Sequence, residues 1–253
     1  MRRTTAVLIA LVVAVALATG VARAITYGDL DGTAHPYVGL VALYDDNVYK
    51  GRCSGALITP TVVLTAAHCI LDTNADRARV YLEPTVTDDL AAPSAGLAGT
   101  PHAHPSFTDL GALPNTSDVA VIVLDKPASP ARFASLAPVG SLDGGKGSHL
   151  VVVGYGLQGV KPRILDEKSR FTATPKVKAL ENKITDGWNV KTSNNKKNGG
   201  TCFGDSGAPL LLEGTDSIVA VNSFGKNDSC TTADFSYRVD TAYAQSWLAG
   251  YLR

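Results

Sequence analysis

Short runs rich in β-branched and apolar residues recur along this chain, each bounded by Gly, Pro, Asp or Asn: Val38–Leu43, Ala56–Leu64, Val119–Leu124, His149–Val153, Ala208–Leu212 and Ile218–Asn222. Runs of this length and composition, separated by turn residues, predict strands rather than helices. A helical pattern emerges only near the end. There Tyr243, Ala244, Trp247, Leu248 and Tyr251 recur at three- and four-residue steps, with Asp240 placed to cap the first turn. The expectation is an all-β domain with one short C-terminal helix. Hydrophobic residues make up 45% and charged residues 18%, enough to build a sizeable core. All-β units commonly reach the size of residues 25–253 as one domain.

Residues 1–24 read differently. Met1-Arg2-Arg3 is a basic start, Ala6 to Ala18 an apolar stretch, and Ala22-Arg23-Ala24 a small-x-small cleavage pattern, which together predict a signal peptide and a secreted, extracellular protein. The apolar stretch is shorter than a bilayer span requires, and no later one is long enough, so no membrane partner is expected of the mature form. The formal net charge of 0 becomes slightly acidic once Arg2, Arg3 and Arg23 leave, which gives no footing for nucleic acid. The basic cluster from Lys191 to Lys197 among asparagines reads as a solvated loop. Four cysteines in an exported chain are expected to oxidise, with three connectivities open. A zinc site has no Cys-x-x-Cys pair to rest on.

The chemistry is concentrated in Thr201-Cys202-Phe203-Gly204-Asp205-Ser206-Gly207-Ala208-Pro209-Leu210. Glycines beside a serine allow close backbone approach to a substrate and suit a hydroxyl held out as a nucleophile. A serine hydroxyl is a poor nucleophile at neutral pH. It needs a base, and the base needs a third group to fix its tautomer. Val62-Val63-Leu64-Thr65-Ala66-Ala67-His68-Cys69 supplies a histidine at the end of a strand-like run. Ser117-Asp118-Val119-Ala120-Val121-Ile122-Val123-Leu124 supplies an acid at the mouth of another, where the strand would draw it inward. No cofactor is assigned: His102-Ala103-His104 is a poor metal motif, and Asp72, Asn74 and Asp76 lack the order of a calcium loop.

With His68, Asp118 and Ser206 in that order, and with Cys53-Ser54-Gly55-Ala56-Leu57-Ile58, His104-Pro105-Ser106-Phe107, Gly154-Tyr155-Gly156 and Ser223-Phe224-Gly225 before, between and after them, the chain resembles the chymotrypsin-like (trypsin-fold) serine peptidases. The resemblance spans nearly everything after residue 24. It implies two packed six-stranded antiparallel β-barrels with the site between them, His68 and Asp118 from the first and Ser206 from the second. It also implies disulfides Cys53–Cys69 and Cys202–Cys230, an oxyanion hole from the Gly204 and Ser206 N–H groups, and a role for Ser223 in holding Asp118. Cleavage after Ala24 would start the chain at Ile25, whose amino group in such enzymes inserts and pairs with the acid before the nucleophile, here Asp205. That would make signal peptidase itself the activating enzyme.

The reading is therefore a secreted serine endopeptidase, acting as a monomer on polypeptide substrates. The alternative is a catalytically silent relative that binds a partner through the same fold. An α/β-hydrolase esterase is excluded by the missing Gly-x-Ser-x-Gly spacing and by the histidine preceding the serine. In the specificity pocket, trypsin-like members carry an aspartate where this chain has Gly200. With Gly225 leaving the mouth open and Phe203 adding an apolar edge, the expectation leans to uncharged, aromatic or large aliphatic side chains. Asp234 reads either as a pocket acid that restores a preference for basic side chains or as a solvated turn acid.

Overall fold

In a computed structural model, residues 24–252 are described, apart from 161 and 181. The predicted signal peptide, but for its last residue, lies outside them. Strand β1 (Asp29–Leu30) comes first in the chain but belongs to the second half. The first half contains β2 (Val38–Asp45), β3 (Val48–Thr59), β4 (Val62–Thr65), β5 (Arg77–Tyr81), β6 (Leu97–Ala103) and β7 (Ala120–Leu124). They close into a six-stranded barrel in the order β2-β3-β4-β7-β6-β5. The β2–β3 hairpin turns at Asp46 and Asn47, both at positive φ, the conformation whose twist matches the flanking strands. The predicted run Ala56–Leu64 is two strands, not one. Pro60 has no N–H to give a ladder, and the chain turns there so that Ala56 faces Leu64 across the β3–β4 pair.

The second half contains β8 (Ser135–Leu136), β9 (Leu150–Gly154), β10 (Phe171–Ala173), β11 (Val177–Ala179), β12 (Asn189–Asn194), β13 (Pro209–Leu212), β14 (Ser217–Gly225) and β15 (Thr232–Arg238). With β1 they form a nine-stranded sheet, ordered β1-β10-β9-β13-β14-β15-β12-β11, with β8 beside β14. This is the second expected barrel in half-barrel form. The start of β11, at one end of the order, meets the start of β9 at an isolated bridge between His149 and Lys176, with Leu150 N donating to Pro175 O at 3.0 Å and Val177 N to Ser148 O at 2.9 Å. The basic cluster is a loop only in its later part. Lys191 lies on β12, opposite Phe235, because Val190 and Thr192 beside it are buried.

Besides a kinked turn at Ala24–Tyr27, the described residues include two helices, α1 (Ala67–Leu71) and the predicted C-terminal one, α2 (Ala242–Leu248). The cap of α2 is Thr241, not Asp240, and its side chain accepts from Ala244 N at 3.2 Å. Asp240 is spent elsewhere, accepting from Arg238 Nε and from Leu142 N, each at 2.8 Å. Ala244 and Leu248 are buried, and the Tyr243 and Trp247 rings pack 5.2 and 5.0 Å from His104. The terminal helix thus ties the end of the second half back onto the first barrel.

Candidate active site at the junction of the two halves

The buried run β4 ends in Thr65, and the chain passes directly into the single turn of α1, which places His68 at the junction. Asp118 stands two residues before β7 and is fully buried. A buried carboxylate needs donors for both oxygens. Oδ1 accepts from the His68 backbone N–H at 2.9 Å, and Oδ2 from the ring Nδ1–H at 2.8 Å and from the Ser223 hydroxyl. Burial pulls the His68 pKa down, yet the Asp118 charge and hydrogen bond outweigh it, with Asp72 adding to them, so the ring titrates above its ordinary value. Burial would likewise raise Asp118, but His68 and Ser223 hold it below the usual carboxylate range. The ring is thereby fixed with its proton on Nδ1 and Nε2 free to accept.

Ser206 arrives from the second half. The segment before β13 is locked to β3 by Ser54, whose N–H donates to Ser206 O at 2.8 Å and whose hydroxyl donates to Gly204 O at 2.9 Å. His68 and Ser206 line one cavity of about 340 Å³, together with Thr201, Asn222, Phe224 and Asp228. Among the described residues no hydrogen bond joins His68 Nε2 to the Ser206 hydroxyl, and the N–H groups of Gly204 and Ser206 have no acceptor. Gly204 has φ +91°, a conformation glycine adopts without strain. The two expected disulfides are formed, Cys53–Cys69 beneath the histidine and Cys202–Cys230 beside the cavity. Cys53, His68 and Cys69 cluster, but the disulfide leaves no thiolate to bind a metal.

Asp205 is fully buried and accepts from Gly156 N at 2.8 Å and Cys202 N at 2.9 Å. Among the described residues it has no cationic partner within salt-bridge reach, and burial pushes its pKa up to about 7. Ile25 is also fully buried, in the core of the second half with Leu150, Val152 and Val190, and the neighbouring Thr26 O accepts from Gly200 N at 3.1 Å. Ile25, still joined to Ala24, holds φ +42°, a strained value for a β-branched residue.

Of the pocket residues, Phe203, Ser223, Phe224 and Gly225 line the cavity, whereas Gly200 and Asp234 do not. Gly200 is backed by Asn194, whose Cγ would lie 2.2 Å from any Cβ placed there. Asp234 is not a solvated turn acid, because its place on β15 buries it to 2% exposure. It accepts from Asn194 Nδ2 at 3.0 Å and Thr201 N at 2.8 Å, and burial pushes its pKa up to about 6. Asn194 and Asp72 were not foreseen. Asp72 had a signal, one helical turn after His68. Asn194 had none, since only the β12–β15 pairing, which sets it opposite Thr232, brings it diagonally to Asp234. His102 and His104 are taken up in packing the terminal helix, His102 lying 5.6 Å from the Tyr251 ring.

A closed barrel presenting a buried Asp–His pair, packed against a half-barrel that presents a serine, defines the chymotrypsin fold. The family model described as Trypsin matches residues 31–248, and the chain belongs to that family. It is 28% identical over 229 residues to brachyurin of Leptuca pugilator, covering 87% of this chain and 96% of that protein. Among solved structures it is similar to an HL collagenase, with TM-score 0.69 and 22% identity over 89% of this chain and 97% of the other. It is also similar to a scabies mite inactivated protease paralogue, with TM-score 0.68 and 18% identity over 90% and 97%. Among the described residues no helix is long and apolar enough to cross a membrane.

Proposed function

We propose that the protein is a secreted serine endopeptidase. The observation that carries this reading is the buried Asp118 carboxylate gripping His68 through both its backbone and its ring, at the wall of the cavity that Ser206 shares. Ser206 attacks the peptide carbonyl, His68 takes its proton and returns it to the leaving amine, and Asp118 orients the ring and stabilises its cation. The unpaired N–H groups of Gly204 and Ser206 receive the oxyanion. Catalytic hydrogen bonds of the Ser–His kind commonly tighten only with substrate bound. Labelling by a serine-directed fluorophosphonate, beside a Ser206→Ala control, tests the assembly, and no labelling of a folded wild-type protein refutes it.

A catalytically silent binding relative is the second reading. It is favoured by the unmade His68–Ser206 bond and by similarity to an inactivated paralogue; the same labelling decides it. For the pocket, Gly200 backed by Asn194 places no anion at that position, and both Asp234 oxygens are engaged by Asn194 and Thr201. The preference is for uncharged, aromatic or large aliphatic side chains. Cleavage after Lys or Arg in a mixed peptide library would assign the specificity to Asp234 instead.

Activation follows from cleavage after Ala24. The cut removes the strained torsion at Ile25, since an N-terminal residue has no preceding carbonyl. It also creates the ammonium that the buried Asp205 carboxylate lacks in the uncut chain. N-terminal sequencing of secreted protein checks this, and any start other than Ile25 contradicts it.

A further inference from the structure

Arg170 is the largest of the fully buried side chains, at 1% exposure. Its guanidinium is held by three separate stretches of chain. Nε donates to Asp31 Oδ2 at 3.0 Å and Nη2 to Gly32 O at 2.6 Å, in the segment that follows Ile25. Nη1 donates to Val38 O at 2.8 Å and Leu82 O at 3.1 Å, both in the first half. The backbone repeats the connection, with Asp31 N donating to Arg170 O at 3.0 Å and Arg170 N to Pro84 O at 2.7 Å. The Asp31 side chain is itself fully buried. It also accepts from His35 N at 3.0 Å, and its Oδ1 lies 2.5 Å from His35 Nδ1.

A buried ion pair is a poor device for stability alone, because desolvation offsets most of the attraction. What a guanidinium adds is geometry, since its planar fork accepts only acceptors placed in its own plane. Here that geometry serves a segment whose strand pairing is short. Strand β1 has two residues and one neighbour, β10, pairing Asp29 with Thr172 and Leu30 with Phe171. The next register position sets Asp31 opposite Arg170. Ile25 lies six residues before Asp31.

We propose that Arg170 and Asp31 are positioning residues, a clamp across both halves that seats the N-terminal segment so that the freed Ile25 amino group meets Asp205. The proposal rests on the activation reading above. The test compares wild-type protein beginning at Ile25 with R170M, D31N and a D31C/R170C pair, at temperatures well below each unfolding midpoint. Directly opposed positions of an antiparallel pair lie within disulfide reach, so the oxidised pair replaces the ion pair by a covalent link. A D31S/R170S double variant is the uncrosslinked control.

In R170M and D31N, fluorophosphonate labelling of Ser206 falls about a hundredfold, the scale of an uncompensated buried charge. The alkaline limb of labelling moves to lower pH, because a poorly seated ammonium loses its proton more easily. Hydrogen-exchange protection falls at the amides of Asp31 and Gly200. The oxidised cysteine pair restores all three, and the serine pair does not. A lower unfolding midpoint with labelling, alkaline limb and protection unchanged overturns the proposal. If the wild type is not labelled at all, the peptidase reading fails on its own. Exchange protection then decides the clamp: lost in R170M and restored by the cross-link supports it, and unchanged refutes it.

Discussion

Gly207 follows Ser206 and has φ +80°. A Cβ there would lie 2.1 Å from Thr65 Oγ1 and 2.3 Å from Ser54 O, whereas at Gly214, with φ +75°, it would meet nothing within 4 Å. The two glycines therefore share a backbone conformation and differ in space. Gly214→Ala carries only the conformational term, about 1 to 2 kcal/mol. Gly207→Ala adds the overlap. The Thr65 hydroxyl can rotate, but Ser54 O is backbone, fixed beside the Ser54 N–H that holds Ser206 O. Restoring ordinary contact moves the two halves apart by about 1 Å, and overpacking of this order costs about 1 to 3 kcal/mol more. The expected losses are about 2 to 5 kcal/mol for Gly207→Ala and about 1 to 2 for Gly214→Ala, read from urea unfolding. A 1 Å displacement between nucleophile and base also costs on the order of a hundredfold in rate, so Gly207→Ala slows fluorophosphonate labelling by that factor while Gly214→Ala does not. Equal destabilisation of the two, or labelling of Gly207→Ala within about twofold of wild type, would refute the reasoning.

Other perturbations follow from the same geometry. Asp118→Asn turns an NH₂ toward one of the donors that the carboxylate now accepts, so kcat for a peptide substrate falls about 10⁴-fold. The acid limb of its pH profile also moves down, because the group that lifts the His68 pKa against burial is gone; an unmoved limb contradicts the assignment. In wild type, activity rises with pH through the lifted His68 pKa, above the ordinary 6.5. The stability of the charged His68–Asp118 pair runs the other way, fully present below 6.5 and lost as pH rises through that lifted value. Asp205 in the uncut chain has its pKa raised from 3.8 to about 7, so the folded state holds the proton more tightly and stability declines as pH rises between those values, by on the order of 4 kcal/mol. Protein beginning at Ile25 lacks this decline, since its ammonium favours the carboxylate. Unfolding midpoints of the two forms across this range, if parallel, would exclude the Ile25–Asp205 pair.

Much of the site was legible in the residue order. Ser206, His68 and Asp118 each sit in a short stretch whose neighbours are dictated locally: glycines beside Ser206, a strand end before His68, an apolar run after Asp118. The strands with an apolar or β-branched run of their own were legible for the same reason, whereas Leu97–Ala103, Asn189–Asn194 and Thr232–Arg238 were not, because their mixed polar residues are buried only by neighbouring strands. The strands of two or three residues, such as Phe171–Ala173 and Val177–Ala179, are too short to carry a period and exist because longer neighbours pair with them. Asp240 lost the cap of α2 to Thr241 because Arg238 and Leu142 N claim its carboxylate, a competition between groups far apart in the chain.

The sequence by itself determined the strand-rich class, the order of histidine, aspartate and serine, and the glycines beside Ser206, since these depend on residue type and on neighbours a few positions away. The tertiary structure decided which acid does what. Asp118, Asp205, Asp234 and Asp31 are alike as letters, yet one grips His68, one lies buried without a cation, one turns to Asn194 and Thr201, and one clamps Arg170. A carboxylate's role is set by the donors and charges within a few ångströms, and here those come from residues up to 139 positions away, brought together only by the folded chain.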